Sequence, residues 1–74
     1  MDEITPEVKR VLIEQESTMW RNTRYHLQLR HRVNKALGAA DVLEQIEKEL
    51  GKCEKALDVL EIVLAELRNG EVKS

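Results

Sequence analysis

The 74-residue chain has 35% charged residues, no Phe, and one residue each of Trp, Tyr and Pro, a composition typical of long helices rather than sheets. Its formal net charge of −2 gives the chain as a whole no electrostatic bias toward nucleic acid or anionic membranes. A single cysteine excludes a disulfide within the chain, and no stretch is apolar enough for a signal peptide or a bilayer span, so we predict a cytoplasmic protein.

The first helix is predicted from about residue 6 to residue 37. Thr5 can cap it through its hydroxyl, Pro6 fits the first helical position, and Glu7 lies at the positive end of the helix dipole. No Gly or Pro interrupts the chain before Gly38, which is predicted to end the helix in the left-handed conformation.

The second helix is predicted from about residue 41 to residue 69, after a turn at residues 38–40. Asp41 is expected to cap it, with Glu44 completing a capping box, and Gly70 to end it before a frayed tail at 70–74. Its apolar residues alternate spacings of three and four, which indicates a helix packed lengthwise on another helix. They are Leu43, Ile46, Leu50, Cys53, Leu57, Leu60, Leu64 and Leu67.

The predicted fold is all-α: a single domain over residues 1–74, forming an antiparallel two-helix hairpin of the coiled-coil type. The short turn allows no other arrangement of two helices of about 30 residues. Folding the chain between Ala39 and Ala40 predicts that His26 faces Cys53 and that Arg30 and Arg32 lie near Glu47 and Glu49. The residues then expected opposite the leucines of helix two are Leu12, Gln15, Met19, Asn22, His26, Leu29, Val33 and Ala36.

Further apolar residues lie beside this predicted interface, and packing of the two helices alone does not bury them. A wide apolar sector requires burial on more than one side of a helix, and a two-helix interface is a small core for 74 residues. We therefore predict that two hairpins dimerise into a four-helix bundle. The candidate self-association residues are Ile13, Trp20, Leu27, Ala56, Val59, Ile62 and Val63.

Metal binding and catalysis have little support in the sequence. Two His26–Cys53 pairs in a symmetric dimer would offer a tetrahedral zinc site, but a buried polar layer is the commoner role for such residues. There is no Gly-rich phosphate loop and no arrangement of a nucleophile with a base. We predict no metal, no cofactor and no enzymatic activity.

A basic stretch is the most suggestive local feature, because five cations and no acid lie between Ser17 and Ala40. Arg21, Arg24, Arg32 and Lys35 advance by helical spacings and are predicted to form one exposed stripe opposite the helix interface. The predicted function is a self-associating protein-interaction module, acting as an adaptor, a chaperone-like protein or a regulator. The alternative is a nucleic-acid-binding regulator that uses this stripe on phosphates. Membrane binding is not expected, because the apolar side is committed to helix packing.

Overall fold

The computed structural model describes residues 4–73 and the side chains of residues 4–70. Two helices make up the fold, α1 at Pro6–Leu37 and α2 at Ala40–Lys73, and residues 4–73 contain no strand. The helices pack against each other along a body of 55 × 19 × 17 Å, so the predicted helical hairpin is confirmed.

The start of α1 follows the predicted capping pattern. The Val8 backbone N–H donates to Thr5 Oγ1 at 3.2 Å, and Pro6 takes the first helical position, where its missing N–H leaves no bond unmade. The helix then runs unbroken to Leu37, so the chain between these caps forms a single rod.

The end of α1 is closed by Gly38, as predicted. Gly38 has φ 72°, the left-handed conformation that residues with a Cβ adopt only at a cost. Its N–H donates to the Lys35 carbonyl at 3.2 Å, and the Ala39 N–H donates to the Asn34 carbonyl at 3.0 Å. This pair of bonds is a Schellman motif, and it reverses the chain within two residues.

The start of α2 differs from the prediction by one residue. The Ala39 carbonyl accepts the first helical bond from the Leu43 N–H at 3.1 Å, and the helix begins at Ala40. Asp41 therefore lies within the first turn and not at the capping position, so the predicted Asp41–Glu44 capping box is wrong. In the first turn the Asp41 carboxylate still interacts favourably with the helix dipole.

The end of α2 lies beyond the predicted stop. The helix continues through Gly70 to Lys73, so neither the predicted end at Asn69 nor a frayed tail over 70–73 is correct; Ser74 lies outside the described residues. A glycine costs about 1 kcal/mol inside a helix but ends it only when it adopts the left-handed conformation. In the described chain only Gly38 has a positive φ.

The predicted interface of α2 is correct. All eight of its predicted interface residues are buried or half-buried, whereas most of the helix is exposed. Ile46 and Cys53 are the two that are fully buried; they form the core with Leu27 of α1, and Leu50 packs against this core.

The predicted interface of α1 is wrong. All eight of its predicted residues are exposed, and α1 turns a different side toward α2. The residues that are buried or half-buried also alternate spacings of three and four: Arg10, Ile13, Ser17, Trp20, Arg24, Leu27, His31 and Asn34.

The error arises because α1 carries two stripes with the same helical periodicity on nearly opposite sides. Spacing alone does not distinguish them, and folding the chain between Ala39 and Ala40 selects the wrong one. Ile13, Trp20 and Leu27 recur every seven residues and place three large apolar side chains against α2. Arg10 and Arg24 can cover the rest of the contact with their aliphatic stems while their charged ends reach water.

The corrected rotation of α1 also changes the contacts between the helices. His26 is exposed, so it does not face Cys53, which is 1% exposed and packs with Leu27 and Ile46. Among the described side chains, neither the Arg30–Glu47 pair nor the Arg32–Glu49 pair forms. Glu47 Oε2 instead lies 3.0 Å from His31 Nε2.

Candidate interaction surfaces

The buried core of the hairpin is small for its length. Leu27, Ile46 and Cys53 are the buried residues of the described chain, with Trp20 and Leu50 packed against them. The accessible surface is 6173 Å². A compact monomer of this mass exposes about 4,700 Å², so the hairpin exposes about 1,500 Å² more than a globular chain of the same size.

Two apolar hollows lie along the hairpin in the half that is remote from the turn, and we refer to them together as the lateral groove. Both helices line each hollow: Leu12, Ile13, Val63 and Leu67 in one, and Trp20, Ala56, Val59 and Leu60 in the other. The Trp20 indole N–H donates to Glu16 Oε2 at 3.1 Å, so the polar atom of this aromatic ring is satisfied at the edge of the groove. Lys9, Lys52, Lys55 and Glu66 lie along its rim.

The predicted self-association residues lie in three different places in the structure. Ile13, Trp20, Ala56, Val59 and Val63 come together in the lateral groove. Ile62 is 59% exposed, three residues from Val59 on the outside of α2. Leu27 is buried in the core, so the expectation that α2 leaves it uncovered is wrong.

A second apolar surface, the outer stripe, lies on the side of α1 that faces away from α2. At 100° per residue its centre lies about 160° around α1 from the helix interface. The sequence pattern predicts all of these residues except Val8 to lie in the interface with α2, and that assignment is wrong. The outer stripe comprises Val8, Leu12, Gln15, Met19, Asn22, His26, Leu29, Val33 and Ala36, all exposed.

Exposure of the outer stripe is large for apolar side chains. Met19 is 60% exposed and Leu29 is 41% exposed, and neither contacts the core. Leu12 belongs to the outer stripe and also lines the lateral groove, so the two surfaces meet there. Exposed apolar side chains grouped in this way are typical of an interaction site.

The predicted basic residues lie elsewhere than expected. Arg24 is half-buried at the boundary with α2, and with Arg21 it lines a polar groove that also contains Asp58 and Glu61. At 100° per residue the centre of the four predicted residues, Arg21, Arg24, Arg32 and Lys35, lies about 60° around α1 from the helix interface, so their predicted placement opposite the interface is wrong. These acids reduce the positive potential around Arg21 and Arg24, and Arg32 and Lys35 are exposed nearer the turn.

Metal-binding residues do not cluster in the part of the chain that the structure describes: no three His, Cys, Asp or Glu side chains come together there. His26 and Cys53 lie on different sides of the hairpin, one exposed and one buried. Neither helix, over its described residues, is long and apolar enough to cross a membrane.

Comparison with protein-family models, curated proteins and solved structures finds no match to this chain. The two apolar surfaces and the charged side of the hairpin are therefore the features that bear on function.

Proposed function

We propose that this protein is a non-enzymatic helical interaction module that self-associates as a homodimer of hairpins and acts as an adaptor, chaperone-like or regulatory protein. The observation that carries this proposal is the apolar surface left over by the hairpin. It is supported by a radius of gyration of 16.8 Å, where a compact chain of this length has about 11 Å.

The energetics of a single hairpin favour a second copy. Ordering a residue costs about 1–2 kcal/mol in backbone entropy, and this cost must be offset mainly by apolar burial. Three buried side chains provide little apolar burial to offset the ordering of two helices of 32 and 34 residues. If each of two chains buried its excess surface of about 1,500 Å², the area buried over both chains would exceed that of a standard protein interface. Such an interface buries about 1,600 Å² counted over both partners.

Two paired hairpins would bring four helices together, and we propose that the lateral groove contributes to this assembly or to the docking of a partner protein. Its lining comes from both helices, so a helix laid in it would contact α1 and α2 at once. The residues proposed to contribute are Ile13, Trp20, Ala56, Val59 and Val63, with Ile62 at the edge.

Sedimentation and thermal unfolding test self-association directly. We expect the chain to sediment as a dimer at micromolar concentration, with a melting temperature that rises as protein concentration rises, because association stabilises the folded state by mass action. A protein that stays monomeric and fully helical at every concentration would contradict the proposal.

A further inference from the structure

We infer that the outer stripe of α1 is the surface that holds a second copy of this chain, through antiparallel pairing with the outer stripe of that copy. The inference rests on the proposed self-association and specifies its central contact. The stripe suits this role because it keeps the alternating spacing of three and four from Val8 to Ala36 while α2 covers none of it.

The composition of the outer stripe is self-complementary in one antiparallel register. In that register apolar residues meet apolar residues toward both ends, Gln15 meets His26, and one mixed pair of Met19 with Asn22 lies at the middle. Each pair occurs twice because of the two-fold axis. The four pairs are Val8 with Val33, Leu12 with Leu29, Gln15 with His26, and Met19 with Asn22.

A shift by one heptad in one direction also leaves one mixed pair, Gln15 with Val33, but it sets Leu12 against the smaller Ala36 instead of Leu29. A shift in the other direction sets Leu12 against Asn22 and Gln15 against Met19, so more polar side chains lie against apolar ones, where their lost hydrogen bonds to water are not replaced. The Gln15–His26 pair lets two polar side chains bond to each other, and such polar layers commonly fix the register of helix pairs.

The charges of α1 favour the antiparallel direction. Within α1, residues 6–16 contain three acids and two bases, whereas the segment from Ser17 to Ala40 contains five cations and no acid. Antiparallel pairing lays the basic half of each α1 beside the acidic half of the other copy. Parallel pairing would bring two basic halves together, and like charges repel across a helix contact.

A charge substitution within the stripe tests where the second copy binds. Leu29→Glu should raise the dimer dissociation constant at least about 100-fold, because it would bury an unpaired carboxylate twice in each dimer. Val42→Glu is the matched control: Val42 is 40% exposed and Leu29 41%, but Val42 lies on α2, away from the stripe. It should leave the constant unchanged within about threefold, as expected of an exposed surface substitution. Sedimentation velocity measures both, with helicity followed by circular dichroism.

The outcomes separate this inference from the proposed function. A wild-type chain that never dimerises contradicts both. A wild-type dimer that persists in Leu29→Glu but dissociates in Val59→Glu would place the second copy on the lateral groove. That result overturns the inference and leaves self-association standing.

Cysteine pairing provides a second readout that does not depend on charged variants folding. Leu12→Cys and Leu29→Cys are made separately in a Cys53→Ala background. After oxidation of an equimolar mixture, we expect disulfide-linked dimers containing one chain of each kind. Neither variant should link to itself, because the two copies of residue 12 lie 17 residues apart along the pair, about 25 Å. Efficient linking of Leu12→Cys alone would show parallel pairing and overturn the inference.

Discussion

Two glycines of this chain have opposite effects on the stability of the hairpin. Gly38 has φ 72° and ends α1, whereas Gly51 lies within α2 in ordinary helical conformation. A Cβ would meet no atom within 4 Å at either position, so space does not distinguish them. The backbone conformation alone therefore decides the effect of a substitution.

Gly38→Ala should lower the free energy of unfolding by about 1–2 kcal/mol, because an L-residue is strained in the left-handed conformation. Gly51→Ala should raise it by about 1 kcal/mol, because alanine is the better helix former. Urea unfolding at one fixed protein concentration measures both, which keeps any contribution from association constant. Equal effects of the same sign would show that the turn is not closed by the Gly38 cap.

At the scale of the helices, local signals in the sequence were sufficient for most of the fold. Thr5, Pro6 and Gly38 act within a few residues of themselves, so the bounds of α1 could be predicted from chemistry that the sequence displays. Gly70 was misassigned because a glycine permits a helix to end without requiring it. The interface of α2 was predictable because its leucines form a single unbroken stripe.

The interface of α1 was not predictable from periodicity, because two stripes with identical spacing lie on its opposite sides. Choosing between them requires knowing which side chains pack best against Leu50 and Cys53, and this depends on three-dimensional shape. For the same reason, the sequence pattern identifies most residues of the two apolar surfaces but does not predict which surface each of them packs against. Met19 and Leu29 were assigned to the core and lie outside it; Leu27 was assigned outside and is buried.

Engineered cysteines test the corrected helix register. With Cys53→Ala, cysteines at positions 27 and 50 should form a disulfide within one chain, because both positions lie in the helix interface. Cysteines at positions 29 and 50 should not, because residue 29 points away from α2. Mass spectrometry of monomers after mild oxidation distinguishes the two. Rapid intrachain linking of 29 to 50, with none of 27 to 50, would restore the register expected from the sequence.

At the scale of the whole molecule, charge is segregated by side as well as by sequence. One side carries the apolar groove, and the side opposite to it brings Arg21 and Arg24 beside Asp58 and Glu61. Arg21 and Arg24 are therefore set against acids of α2 instead of forming an isolated basic surface with Arg32 and Lys35. This arrangement weakens the case for phosphate binding that the basic stretch makes when the sequence is considered alone.

Nucleic-acid binding gives the sharpest test between the two functions considered for this chain. We expect no binding of generic duplex DNA or single-stranded RNA at about 50 mM salt, where contacts to phosphates are strongest. A fluorescence anisotropy titration measures this, with Arg32→Glu as the variant, because Arg32 is exposed and has no role in the core. Binding that weakens steeply with salt, and that Arg32→Glu reduces alike for all sequences, would favour the nucleic-acid regulator, since phosphates carry no sequence information. In that case the acidic residues of α2 would have to lie outside the contact with nucleic acid, and Asp58→Lys should strengthen nucleic-acid binding.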